Sequence, residues 1–152
     1  MSSESTPKTI LLRGEGLMVE GTSTTAVTPG HLLAVSGTGV RTHNAEAGAA
    51  IPAFAIESLD GGYIDDVYAS GDNVQYVFPQ PGAVVYGWLE AGSNAAINAN
   101  LYSAGNGQLK VVLGSEGGVI VGKAFEAVNN GLGSDPVRIK VLVGVAGYTA
   151  PV

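Results

Sequence analysis

The side chains able to do acid–base or metal chemistry are few, and their spacing organises none of it. The two histidines, His31 and His43, flank a short strand–turn–strand pattern and could approach each other across it. No carboxylates join them at metal-ligand spacing, so both read as solvated residues at turn edges. The densest acidic stretch holds Asp60, Asp65, Asp66 and Asp72. Oxygen ligands of this kind suit calcium, but the alternating Asp-x-Asp-x-Asp-Gly order of a calcium loop is missing. The stretch reads instead as turns capped by their own carboxylates. Any two acids can meet in space as a glycosidase pair, and nothing in the spacing supports one.

Nucleophiles fare no better. The chain has no cysteine, which removes thiolate catalysis, thiolate metal sites and a disulfide framework together. Gly14-Glu15-Gly16 and Gly114-Ser115-Glu116-Gly117-Gly118 open no helix and precede no Lys-Ser pair, so neither is a phosphate loop. No Gly-x-Ser-x-Gly elbow presents a serine. The aromatics Tyr63, Tyr68, Tyr76, Tyr86, Trp88 and Tyr102 could line a sugar or peptide groove, although at strand spacing core packing is their commoner role. The expectation is a non-enzymatic domain with no cofactor and no metal.

The elements that carry these residues follow from composition and period. At 152 residues the chain has room for one domain. Charged residues make up 13%, against about 25% in an ordinary soluble protein. Hydrophobic residues reach 45%, yet no run approaches the roughly 18 apolar residues of a membrane-spanning helix. The apolar residues come in short runs broken by 23 glycines and 7 prolines, which suits strands and tight turns. So few charges imply a surface that is neutral and polar, or partly covered by other subunits. The net charge is −6 and the seven basic residues lie singly along the chain, so no nucleic-acid partner is expected; nor is a membrane. Residues 1–7 lack a basic and apolar leader pattern, which predicts synthesis in the cytoplasm.

The strongest local pattern is Val74–Phe78 followed by Val84–Leu89, two β-prone runs separated by Pro79-Gln80-Pro81-Gly82, which no helix or central strand accommodates. Alternation puts Val74, Tyr76 and Phe78 on one face, and Val84, Tyr86 and Trp88 on one face of the second run. On either side a similar unit recurs. Residues 31–41 and 99–110 each read as a hairpin, the second turning at Asn106-Gly107 in the type I′ manner. Ala55-Ile56-Glu57 follows the first, and Ala124-Phe125-Glu126 the second, at a near-constant offset. Residues 137–145 form the most β-prone run, with Val137, Ile139, Val141, Val143 and Val145 on one side and Arg138, Lys140 and Leu142 on the other. The predicted fold is all-β: a compact antiparallel β-sandwich or barrel-like domain built from two pseudo-repeated hairpin units. Its expected divisions are an N-terminal arm (1–20), the β domain (21–147) and a C-terminal tail (148–152). Two readings of the arm stay open, a strand donated to a neighbouring molecule or an edge strand of its own domain.

Over residues 28–143 the chain resembles the small capsid decoration proteins of tailed bacteriophages. The resemblance runs through Thr28-Pro29-Gly30-His31-Leu32-Leu33, Ala55-Ile56-Glu57 and Asp66-x-Tyr68-x-x-Gly71-Asp72-x-Val74. It continues in Pro81-Gly82-x-x-Val85-Tyr86, Leu101-x-Ser103-x-Gly105-Asn106-Gly107 and Val121-Gly122-Lys123-Ala124-x-Glu126-Ala127. Each motif is a weak turn signature, and their order carries the likeness. It implies a structural virion protein without catalysis, sitting as a homotrimer on the outer surface of the head and bridging major capsid subunits. On that reading the arm and tail residues Thr9, Ile10, Leu11, Leu12, Arg13, Leu17 and Tyr148 are the expected contacts to capsid or subunit. The competing expectation is a carbohydrate- or receptor-binding β domain of a tail or fibre, with Trp88 and the tyrosines as its platform.

Overall fold

The computed structural model describes residues 6–48, 50–113 and 117–144, together with the backbone of 148–149. Among them there is no helix. The described residues form fifteen short strands. The first half contains β1 (Leu11–Arg13), β2 (Gly16–Thr22), β3 (Leu33–Ser36), β4 (Gly39–Thr42), β5 (Phe54–Ala55), β6 (Asn73–Pro79) and β7 (Val84–Leu89). The second contains β8 (Asn94–Ala95), β9 (Asn100–Ser103), β10 (Leu109–Val111), β11 (Gly118–Val119), β12 (Gly122–Ala124), β13 (Val128–Asn129), β14 (Val137–Val143) and β15 (Tyr148–Thr149). The all-β expectation holds.

The main sheet runs β1-β7-β10-β9-β12-β14, and β14 pairs back onto β7, closing a five-stranded barrel with β1 laid beside the start of β7. Closure removes the open edges that a sheet of this size would otherwise present. The pairing is not wholly antiparallel as predicted. β10 meets β7 in parallel at Leu109 and Leu89, at the end of β7 away from its antiparallel pairing with β1. Inside, Val85, Leu89, Leu101, Leu109, Ile139, Val141 and Val143 form one buried cluster.

A second, smaller sheet runs β2-β6-β5 and continues through the Leu32–Phe54 bridge to the hairpin β3–β4. The Pro79–Gly82 corner hands the chain from this sheet to the barrel, so β6 and β7 are consecutive but do not pair. The predicted single apolar face of β6 is corrected by this layering. Val74 and Tyr76 pack into a second buried cluster with Val27, Leu33, Val40 and Tyr68, while Val77 points the other way, into the barrel cluster. β5 divides likewise, Phe54 to the barrel side and Ala55 to the other. A strand between two cores is apolar on both faces, and strict alternation conceals that.

Both predicted hairpins form, and the first strand of each also pairs onward, Leu32 with Phe54 and β9 with β12. The second turn differs from expectation. It spans residues 104–108, closed by the Ala104 N–H to the Gln108 carbonyl, and the positive φ falls on Gly105 and Gly107 rather than Asn106. Its tip docks on the base of the first hairpin, where Leu32 N–H donates to the Gly107 carbonyl and Gly107 N–H to that of His43. A Cβ at Gly107 would stand 3.0 Å from the His31 ring and 3.1 Å from Thr42, so this joint between the two units needs glycine.

Candidate functional site

The outer face of β7 and β14 gathers the chain's most elaborate polar arrangement. Register sets Arg138 opposite Trp88 and Lys140 opposite Tyr86. Because Val85, Gly87 and Leu89 turn into the barrel, Tyr86 and Trp88 must point outward. The predicted apolar face of the second run is therefore the covered exterior of the barrel. Arg138 supplies much of that cover. Its guanidinium lies 4.0 Å from the centroid of the Trp88 ring and 5.5 Å from that of Tyr86, a cation–π stack. Nη1 donates to the carbonyls of Pro29 (2.7 Å) and Tyr86 (3.3 Å). Nη2 donates to the Ile64 carbonyl (2.6 Å) and to Asp65 Oδ1 (3.2 Å). Only 11% of its side chain is exposed, and Nε is buried without a partner. Two loops far apart in sequence, 28–31 and 60–66, are thus fastened to the barrel by one side chain.

Trp88 completes the staple, its indole Nε1 donating to the Pro29 carbonyl at 3.0 Å. A ring held between an arginine and a loop is not a free stacking platform for sugars. Gly30 (φ +95°) permits the close approach, because a Cβ there would stand 2.6 Å from the Tyr86 carbonyl oxygen and would strike Nη1 of Arg138. Gly30→Ala is expected to cost about 3 kcal/mol from the left-handed backbone and the clash together, read as a lowered midpoint in urea unfolding.

His31 sits against this staple, its ring centroid 6.4 Å from that of Trp88, with Nδ1 accepting from the Thr28 N–H at 3.1 Å. Burial, with Arg138 nearby as a second cause, lowers its pKa to about 4. An imidazole depressed from 6.5 to about 4 binds its proton in the unfolded chain first. Its contribution is therefore complete above pH 6.5 and is lost as the pH falls towards 4. Wild type is expected to lose up to about 3 kcal/mol more than His31→Gln across that window, measured by denaturant unfolding at stepped pH; parallel curves would contradict it. His43 has other company. Its Nδ1 lies 2.6 Å from the Ser103 hydroxyl, buried. The histidines are structural partners of separate elements rather than turn-edge residues in solvent.

The acidic stretch behaves as capped turns. Asp66 Oδ2 accepts from the Tyr63 N–H at 2.9 Å and Asp72 Oδ2 from the Ala69 N–H at 2.8 Å. Among the described residues no three His, Asp or Glu side chains converge as a metal site would require.

The residues expected to make contacts are distributed unevenly. The segment 9–13 pairs within its own chain, Leu11 with Val85 and Arg13 with Val84. Ile10 is wholly buried, its N–H donating to Glu57 Oε2 and its carbonyl accepting from Tyr86, so its side chain is core and not contact surface. Leu11 packs half-buried on the same core. Thr9 is exposed and donates to the Leu11 carbonyl. Leu12 and Arg13 line an open cleft of about 530 Å³ with Pro7, Val84, Phe125 and Lys140. Leu17 on β2, 66% exposed, stands opposite Phe78 of β6, and Phe78 with Leu33, Val35 and Ile51 walls a cleft of about 430 Å³. The Tyr148 backbone pairs with Val119; its side chain, like most of the predicted tail, lies outside the described residues. The clefts themselves escaped the sequence, because each is walled by segments that are separated along the chain.

No family model matches the chain, and no curated protein matches its sequence. Among solved structures, it is similar to the head fiber gp8.5 N base of bacteriophage phi29, with a TM-score of 0.57 and 15% identity, covering 88% of this chain and 98% of that one. At that identity the likeness establishes a shared fold.

Proposed function

We propose that the chain is a structural protein of a phage head, carried on the outer surface of the virion, where it associates with itself as a homotrimer and binds the major capsid protein. The observation that carries this reading is the shared fold with a phage head fiber base over nearly the whole of both chains. The surface supports it. Large apolar side chains including Leu17, Ile51, Leu59, Tyr63, Val67 and Leu113 stand exposed on a chain with few charges, as expected of a protein that shares its surface with partners. No catalytic constellation competes for the role among the described residues.

Self-association and head binding are separable. Leu17→Asp, on an exposed edge strand, is expected to change stability by less than about 0.5 kcal/mol while weakening one of the two associations. Unchanged trimerisation in sedimentation velocity, together with unchanged binding to heads lacking the protein, would remove β2 from the contact surface. Deleting residues 1–13 is not an equivalent test, since it takes Ile10 out of the core.

A further inference from the structure

On a chain of net charge −6, one face is locally basic. Two adjoining clefts meet at Pro7. One contains Arg13 and Lys140 beside Leu12, Val84 and Phe125; the other contains Lys8 beside Thr6, Tyr63, Ile64 and Asp65. Lys123 shares this exterior, because it pairs with Leu142 next along β14 from Lys140. Glu126 lies alongside, its Oε1 accepting the Lys140 N–H and its Oε2 3.9 Å from the Lys140 Nζ. Arg13 is exposed, and neither it nor Lys123 has an ion-pair partner among the described residues.

The loop 58–67 is the counterpart of this face. It projects Leu59 and Tyr63 (64% and 74% exposed) together with the exposed carboxylates of Asp60 and Asp66. Backbone bonds from Gly62 to Ser58 and from Asp66 to Tyr63 hold its shape, and the Arg138 staple fixes its base at Ile64 and Asp65. It is a preorganised acidic and apolar knob standing beside a basic and apolar cleft.

We infer that the cleft formed by Leu12, Arg13, Phe125 and Lys140 receives the loop 58–67 of a second copy of this chain. The opposed charges and matched apolar groups select that occupant. Because the two patches differ, their meeting is a heterologous contact, which forms a ring where the rotation between successive copies closes. This assignment rests on the self-association part of the proposed function and names its surface.

The test is a charge exchange read by sedimentation velocity on the full chain. Arg13→Glu alone and Asp60→Lys alone are each expected to weaken association by at least about tenfold. The double variant Arg13→Glu/Asp60→Lys is expected to recover most of it. Both sites are exposed, and a far-ultraviolet circular dichroism spectrum matching wild type verifies the fold of each variant. Association unaffected by either single change, or a double variant as weak as the sum of its parts, overturns the contact and leaves self-association elsewhere. A wild type monomeric at all concentrations overturns the contact and the trimer together, while binding of the same protein to heads independently decides the structural role. Loss of head binding with intact trimers would assign the cleft to an acidic capsid surface instead and likewise overturn the inference.

Discussion

Arg138→Met is expected to lower stability by about 3 kcal/mol, a fall in Tm of roughly 6–12 °C for a chain of this size. Methionine keeps much of the apolar stem but removes the charge-assisted bonds to the carbonyls of Pro29 and Ile64, each contributing about 1.5–3 kcal/mol. The exposed Asp65 carboxylate adds little, and the unpartnered Nε offsets part of the gain. Arg138→Lys should fail to rescue, because an ammonium has no planar fork to reach both loops. Trp88 reports the same event, since losing the cation above its ring and loosening loop 28–31 should shift its emission. Buried charges are sometimes replaced without loss; an Arg138→Met chain as stable as wild type would mean that the two loops hold themselves.

The second large effect is at the seam between the two cores. Phe54→Ala is expected to cost about 3–5 kcal/mol. The ring is wholly buried and packs into the barrel cluster, while its backbone links Val77 on one side to Leu32 on the other. Because β5 and β6 contribute side chains to both clusters, the loss should reach both. Trp88 fluorescence and far-ultraviolet circular dichroism should therefore give coincident, earlier transitions in denaturant. Separated transitions would mean that the two cores fold independently, and a loss below about 1 kcal/mol would mean that the ring is not tightly packed.

How much of this was legible depended on the range of the interaction. The hairpins around Gly37 and Gly107, the strands β6 and β7, and the two faces of β14 were readable because each leaves a period-two or glycine signature within a few residues. What failed was non-local. Val77 looked like the solvent side of β6 until a second core lay against it. Tyr86 and Trp88 looked like core because apolar content alone does not say which side of a barrel wall a residue occupies. Arg138 looked like an ordinary surface cation, since its acceptors at Pro29 and Ile64 are far away in sequence. The Asn106-Gly107 turn failed for a different reason: a longer loop moves the positive φ onto both flanking glycines, which tolerate it better than asparagine. Only the separate residues of the basic cleft were visible, Leu12 and Arg13 at one end of the chain and Phe125 and Lys140 near the other.

The structural role is tested most directly by sedimenting the purified chain with expanded phage heads that lack it. Saturable co-sedimentation at a fixed number of trimers per head, with the bound protein placed on the outer surface by electron microscopy, is the predicted result. A chain that stays in the supernatant at every concentration, or that is found inside the head, would contradict the account.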